Sequence, residues 1–271
     1  MPSVTVNNVR INYIEQGAGD EALIFVHGLT GSIRHWKDVL ERLPKEYRAY
    51  VLDQRGHGQS DKPGSYQLAE MSQDIYAFSK ELGIGSFIYV GHSMGGTLGL
   101  RFALDHPEVL KAMVLVAHFP VHKWMTAETA APILAMTGAD DVPTAFQTMF
   151  ASPEIVRGSM GQMFATPPSE EVMNKIVDDV LATDLAAVGD CYTWMLSSGL
   201  EPHLSEIGVP TLIVAGAKDP TPSDVTRLDA NSIKGCRFEI FEDAGHFVPQ
   251  ETPQKFVDVL TSFIKGERAT P

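Results

Sequence analysis

The stretch "YVGHSMGGTLGL", residues 89–100, decides the fold. An apolar run stops at Gly91, a lone serine follows at Ser93, and Gly95 and Gly96 open a second apolar stretch. These residues alone leave two readings. Gly91-x-Ser93-x-Gly95 is either a nucleophile held on a tight turn or a glycine-rich loop whose serine caps the next helix. The flanks favour the nucleophile: "FIYV" reads as a strand, and "SMGGTLGLRFALDH" continues as a helix. In an open α/β sheet, ligands bind beyond the carboxyl ends of the strands, so Ser93 falls where chemistry is expected. Glycines at 91 and 95 permit a sharp turn and close approach of strand to helix. The backbone N–H of Met94 then issues from a helix N-terminus, whose partial positive charge favours an oxyanion.

Working outward, β-rich runs are predicted at Val4–Asn7, Arg10–Glu15, Ala22–Val26, Arg48–Leu52, Phe87–Val90, Lys111–Val116, Thr211–Ala215 and Arg237–Glu242. "ALIFV", "AMVLV" and "TLIVA" are apolar throughout, as suits parallel strands covered on both faces. Helical patterns fall between them at Ile33–Arg42, Leu68–Leu82, Met94–Asp105, Pro222–Asn231 and Pro253–Lys265. Such alternation predicts an α/β fold with a mostly parallel, doubly wound sheet flanked by helices. The turn signal "NNVR" predicts that the first two strands form an antiparallel hairpin at one edge.

The alternation breaks between His118 and Ile207. That segment reads as short helices and holds seven of the eleven methionines, together with Trp124 and Trp194. We therefore expect a core of residues 1–117 and 208–271 with a helical cap, 118–207, inserted after the sixth strand. Methionine fills irregular gaps, so the cap is either simple packing or an adaptable apolar pocket. On the pocket reading, Phe119, Trp124, Met149, Phe150, Met163, Trp194 and Met195 line it.

A serine hydroxyl needs a base, and the base needs a partner that orients it. The run "TLIVA" ends in "GAKDPTP", which offers Asp219, and "RFEIFE" ends in "DAGHFVPQ", which offers His246. The order Ser93, Asp219, His246 is the one this architecture uses. Asp243 and Asp224 are rival acids, less well placed. "ALIFV" runs into "HGLTGS", where Leu29 can supply a second backbone N–H beside that of Met94. His27, Ser32 and His92 read as supports for the site, and His57 as structural within a loop tied down by Arg55 and Asp53. His118 and His122 have metal-like spacing, but Pro120 interrupts any helix between them and no third ligand is evident, so no metal is expected. Lining of the pocket suits these two histidines better. Arg157 and Lys123 are the few basic residues expected near it.

"HGLTGS", "LDQRGHGQS", "GHSMGG", "GAKD" and "DAGHFVPQETP" together resemble the α/β-hydrolase superfamily, over residues 4–117 and 209–265. The resemblance implies an eight-stranded sheet, a Ser93–His246–Asp219 triad, oxyanion donors at Leu29 and Met94, and no cofactor. Within the superfamily the chain is similar to small serine carboxylesterases and lactonases. Relatives with aspartate at the elbow, and those with an "HGGG" signature, fit less well. The expected reaction is hydrolysis of a lipophilic small-molecule ester or lactone through an acyl-enzyme. Alternatives on the same scaffold are a carbon–carbon hydrolase or perhydrolase, or a slow-turnover receptor.

Bulk properties narrow the class further. A net charge of −13 argues against nucleic acid or an anionic membrane surface as partner. The longest apolar runs are too short to span a bilayer, and "MPSVTVNNVR" carries no secretory pattern. Two cysteines give neither a disulfide framework nor zinc spacing. A cytoplasmic protein without stable membrane association, a monomer or homodimer, is expected.

Overall fold

The apolar runs pair into one sheet. In the computed structural model, which describes residues 1–118 and 120–266, the strands are β1 (Ser3–Val6), β2 (Val9–Gln16), β3 (Glu21–Val26), β4 (Tyr47–Leu52), β5 (Phe87–His92), β6 (Leu110–Val116), β7 (Thr211–Gly216) and β8 (Arg237–Phe241). Their order in space is β1-β2-β4-β3-β5-β6-β7-β8. Only the pairs β1–β2 and β2–β4 are antiparallel. Asn7 and Asn8 both take positive φ, 49° and 63°. That is the backbone a two-residue hairpin turn demands, and asparagine tolerates it.

The central strands are apolar throughout because each face has its own core. Ile24, Val26, Tyr89 and Leu115 pack into one cluster. Their neighbours Leu23, Phe25, Val90 and Val116 pack into the other. The second cluster holds Trp36, whose ring lies 5.0 Å from Phe25. Burying side chains of this size stabilises by about 1.5–3 kcal/mol each.

Ile33–Arg42 departs from its predicted single helix. It forms a 3₁₀ turn, Ile33–Trp36, followed by a short α-helix, Lys37–Leu40. The Asp53 carboxylate takes the N–H of Ile33 at 2.8 Å, and Ser32 caps Arg34. Trp36 breaks the regular winding at φ −98°, ψ 2°, with its ring wholly buried. The C-terminal pattern likewise divides, into a turn at Val248–Glu251 and a helix at Pro253–Ile264.

Between β6 and β7 the described residues form helices and no strand. The longer ones are Ala127–Thr137, Val142–Phe150, Pro153–Gly161, Glu170–Ala182 and Leu185–Ser197. Their apolar faces join the first core cluster through Phe146, Met149, Val180 and Trp194. A strong attachment is made at Tyr66, whose O–H donates to Asp184 Oδ2 at 2.5 Å. Asp184 N–H in turn donates to Gly56 O at 2.9 Å. Phe119, and residues 267–271 at the end of the expected core segment, lie outside the described residues. No helix among the described residues is long and apolar enough to cross a membrane.

Candidate active site

Ser93 follows β5 directly, at the N-terminus of the helix Met94–Asp105. Its φ of 52° and ψ of −115° are strained for a residue with a side chain. The turn is held because Ser93 N–H donates to Val116 O at 2.8 Å and Gly96 N–H donates back to Ser93 O at 2.7 Å. The glycines have a steric reason. A Cβ on Gly91 would lie 2.3 Å from Gly95 O, and one on Gly95 would lie 2.7 Å from Val26 O. The helix therefore rests directly on the backbones of β3 and β5.

Ser93 Oγ lies 3.0 Å from His246 Nε2. On the other side of the ring, Nδ1–H donates to Asp219 Oδ2 at 2.7 Å. The second Asp219 oxygen accepts the N–H of Thr221 at 2.8 Å. Asp219 lies just beyond β7 and His246 just beyond β8. Of the rival acids, Asp243 is exposed on the rim of the cavity. Asp224 is exposed and accepts the N–H of Val225.

Leu29 and Met94 both border the same cavity. Met94 is the first residue of its helix, so its N–H has no intrahelical partner. The Leu29 peptide is fixed by Thr30, whose φ is 60° and whose hydroxyl donates to Leu29 O at 2.6 Å.

Behind these groups lies a buried cluster of imidazoles. His27 Nδ1–H donates to Gly28 O at 2.7 Å, and its Nε2 accepts the N–H of Gln54 at 3.0 Å. His92 Nε2–H donates to the carbonyl of His246 at 2.8 Å. The His35 ring sits 4.2 Å from that of His92. Burial pushes His27 down to about 4 and His35 to about 3. It also lowers His57 to about 3 and holds His92 well below its ordinary value. Neutral rings can pack together here without charge repulsion. His57 Nδ1–H donates to the Arg55 carbonyl. Arg55 is itself paired with the buried Asp74.

The cavity in front of Ser93 measures about 1020 Å³, room for a ligand of drug size or larger. Of the residues expected to line it, Trp124, Met149, Phe150, Met163 and Met195 do so. Trp194 does not. It shares a helix with Tyr192 and Met195, which face the cavity. Its indole N–H instead donates to Tyr66 O at 3.0 Å. Phe119 is outside the described residues. The expectation for His118 and His122 is corrected as well, since neither borders this cavity. Buried His118 bonds Asp229 at 2.8 Å and Thr97 at 3.2 Å, while His122 pairs with Glu201. The basic residues bordering the cavity are Arg34, Lys37 and Lys175, rather than Arg157 and Lys123. Each has a carboxylate partner: Asp179, Glu41 and Glu171. Burial raises the pKa of Asp179 despite its pairing with Arg34. Sequence reasoning missed the Arg34–Asp179 pair because its members come from distant segments, whereas Lys37–Glu41 and Lys175–Glu171 are local i,i+4 pairs. It also missed Phe164, which borders the cavity and stacks on Phe247 at 4.4 Å.

A family model, the alpha/beta hydrolase fold, matches this chain over residues 21–253. The chain belongs to that family, whose related members include esterases and lactonases. A curated relative, the mouse (Mus musculus) sn-1-specific diacylglycerol lipase ABHD11, is 28% identical, with 93% of this chain and 84% of the relative covered. 3-Oxoadipate enol-lactonase 2 of Acinetobacter baylyi is 26% identical, over 97% of this chain and 96% of that protein. Among solved structures, Est816, described as an N-acyl homoserine lactone degrading enzyme, superposes with a TM-score of 0.79. It is 26% identical, over 97% of this chain and 100% of that one.

Proposed function

We propose that this protein is a serine hydrolase of carboxylic esters or lactones of lipophilic small molecules. The observation that carries the reading is the hydrogen-bonded line from Ser93 Oγ through His246 to Asp219, opening on a largely apolar cavity. Ser93 Oγ attacks the carbonyl carbon while its proton passes to His246 Nε2. The N–H groups of Leu29 and Met94 stabilise the oxyanion, each worth about 10²–10³ in rate in comparable sites. Collapse breaks the carbonyl–oxygen bond, and His246 hands its proton to the departing alcohol. Water then repeats the sequence on the acyl-enzyme, and Asp219 keeps Nδ1 protonated throughout. The helices within 118–207 act as a cap over a core of 1–117 and 208–271. They supply the wall for the apolar part of the substrate.

Both lactone and ester relatives support the substrate class. The test is a fluorophosphonate label, located by mass spectrometry, with hydrolysis assayed on p-nitrophenyl esters and an N-acyl homoserine lactone. Labelling at Ser93, and loss of both label and turnover in a folded Ser93→Ala variant, is the expected result. Turnover retained in Ser93→Ala overturns the mechanism.

A further inference from the structure

The loop carrying His246 is bonded, backbone to backbone, to the connection between the helices Pro153–Gly161 and Glu170–Ala182. His246 N–H donates to Met163 O at 2.7 Å. A Cβ on Gly245 would lie 2.3 Å from that same oxygen, so glycine is what lets the two chains come this close. Glu251 bridges the seam with one carboxylate. Its Oε1 accepts the N–H of Gly245 at 2.8 Å, and its Oε2 accepts the N–H of Ala165 at 2.6 Å. Between these bonds Phe164 lies flat on Phe247, with 17° between the rings. Met163 and Phe164 also border the cavity. The residues a ligand would press on are therefore those that hold the backbone of the base.

We propose that Glu251 is a positioning residue, whose carboxylate registers the 163–165 segment against the His246 loop and so sets the aim of His246 at Ser93. The proposal rests on Ser93 acting as the nucleophile. Displacing a reacting group by about 1 Å can cost about 10²-fold in rate, so a loosened seam shows in kcat before it shows in binding. The Tyr66–Asp184 bond gives the contrast. It also ties the inserted helices to the core, but it does not touch the His246 loop.

The experiment compares wild type, Glu251→Gln and Tyr66→Phe at a temperature where circular dichroism shows all three folded. Readouts are the rate of fluorophosphonate labelling, kcat and KM for p-nitrophenyl butyrate, and the downfield proton resonance of His246 Nδ1–H. Glu251→Gln is expected to lower labelling and kcat by about 10- to 100-fold with KM within about threefold, and to broaden or shift the resonance. Tyr66→Phe is expected to lose thermal stability while labelling at close to the wild-type rate. Wild-type labelling in Glu251→Gln overturns the proposal. So does an equal loss in Tyr66→Phe, because it assigns the effect to general stability. Should Glu251→Gln not fold, Glu251→Asp carries the test, since it keeps the charge but shortens the carboxylate's reach to Gly245 N–H and Ala165 N–H. A fall in labelling supports the coupling, and an unchanged rate refutes it. Failure of the wild type to label refutes the role of Ser93 itself, whereas a labelled wild type beside an unaffected Glu251→Gln refutes only the role of Glu251.

Discussion

Replacing Asp219 by asparagine removes one charge and changes almost no volume. Asp219 takes His246 Nδ1–H on Oδ2 at 2.7 Å and Thr221 N–H on Oδ1 at 2.8 Å. In Asp219→Asn the amide oxygen is held by the Thr221 donor, so the NH₂ group is left facing the imidazole. A donor there favours the tautomer with hydrogen on Nε2, which presents an N–H to Ser93 where a lone pair is needed. Restoring the working tautomer forfeits a hydrogen bond to a charged acceptor, about 1.5–3 kcal/mol. It also leaves a buried donor unsatisfied, at about 1–3 kcal/mol more. Together these predict a loss of about two to four decades in kcat, at 1.36 kcal/mol per decade. The assay is steady-state hydrolysis of p-nitrophenyl acetate alongside fluorophosphonate labelling, with circular dichroism confirming the fold. Asp224→Asn, at an exposed carboxylate in the first turn of its own helix, serves as the control and stays close to wild type. A folded Asp219→Asn variant within tenfold of wild type refutes the reasoning. A larger loss on replacing Asp243 refutes it too.

Two further outcomes follow from strain and from buried histidines. Ser93→Gly is expected to abolish activity yet raise stability by about 1 kcal/mol, because glycine accepts φ 52° freely. Differential scanning calorimetry should show a Tm about 2–4 °C higher, and a lower Tm contradicts the strain argument. His27, His35 and His57 have folded pKa values of about 4, 3 and 3, below the unfolded value of about 6.5. The unfolded chain takes up these protons first. Stability is thus intact above about pH 6.5 and falls as the pH drops toward 4, by up to about 4 kcal/mol per pH unit for the three together. Urea midpoints measured from pH 7.5 to 4.5 test this, and a flat series contradicts it.

How much the sequence reveals depends on how local the deciding force is. The strand "ALIFV" is readable because both faces of β3 are buried, so no polar residue interrupts it. Ser93 is readable because a strand, a turn and a helix announce it within a dozen residues. Asp219 is readable through its place after β7, on a different loop from His246, whereas Asp243 lies three residues before that histidine; the bond from His246 Nδ1 goes to Asp219. Trp194 is not readable in this way. Its helix buries both Cys191 and Trp194 against the core and turns Tyr192 and Met195 to the cavity. Which of two apolar faces meets the ligand is set by packing partners such as Tyr66, far away in the chain. The Arg34–Asp179 pair and the Glu251 bridge are non-local in the same way. The 3₁₀ turn at Ile33–Trp36 answers to Asp53, a residue on another strand's end.

The residues between Val116 and Thr211 leave and rejoin the sheet on neighbouring strands, with Val116 opposite Val214. The segment leaves β6 at Val116 but enters β7 at Thr211, which pairs with Met113. Its ends are thus offset by about 10 Å along the parallel strands as well as by one strand spacing of about 4.8 Å. A segment that spans that offset can be grafted there with little change in loop-closure entropy. Length is then nearly free, while composition must still cover the first core cluster at positions such as Phe146, Met149, Val180 and Trp194. One condition travels with the graft: it must present a carbonyl where Met163 O now meets His246 N–H. A chimera that omits it would fold around an intact Ser93 and still hydrolyse poorly.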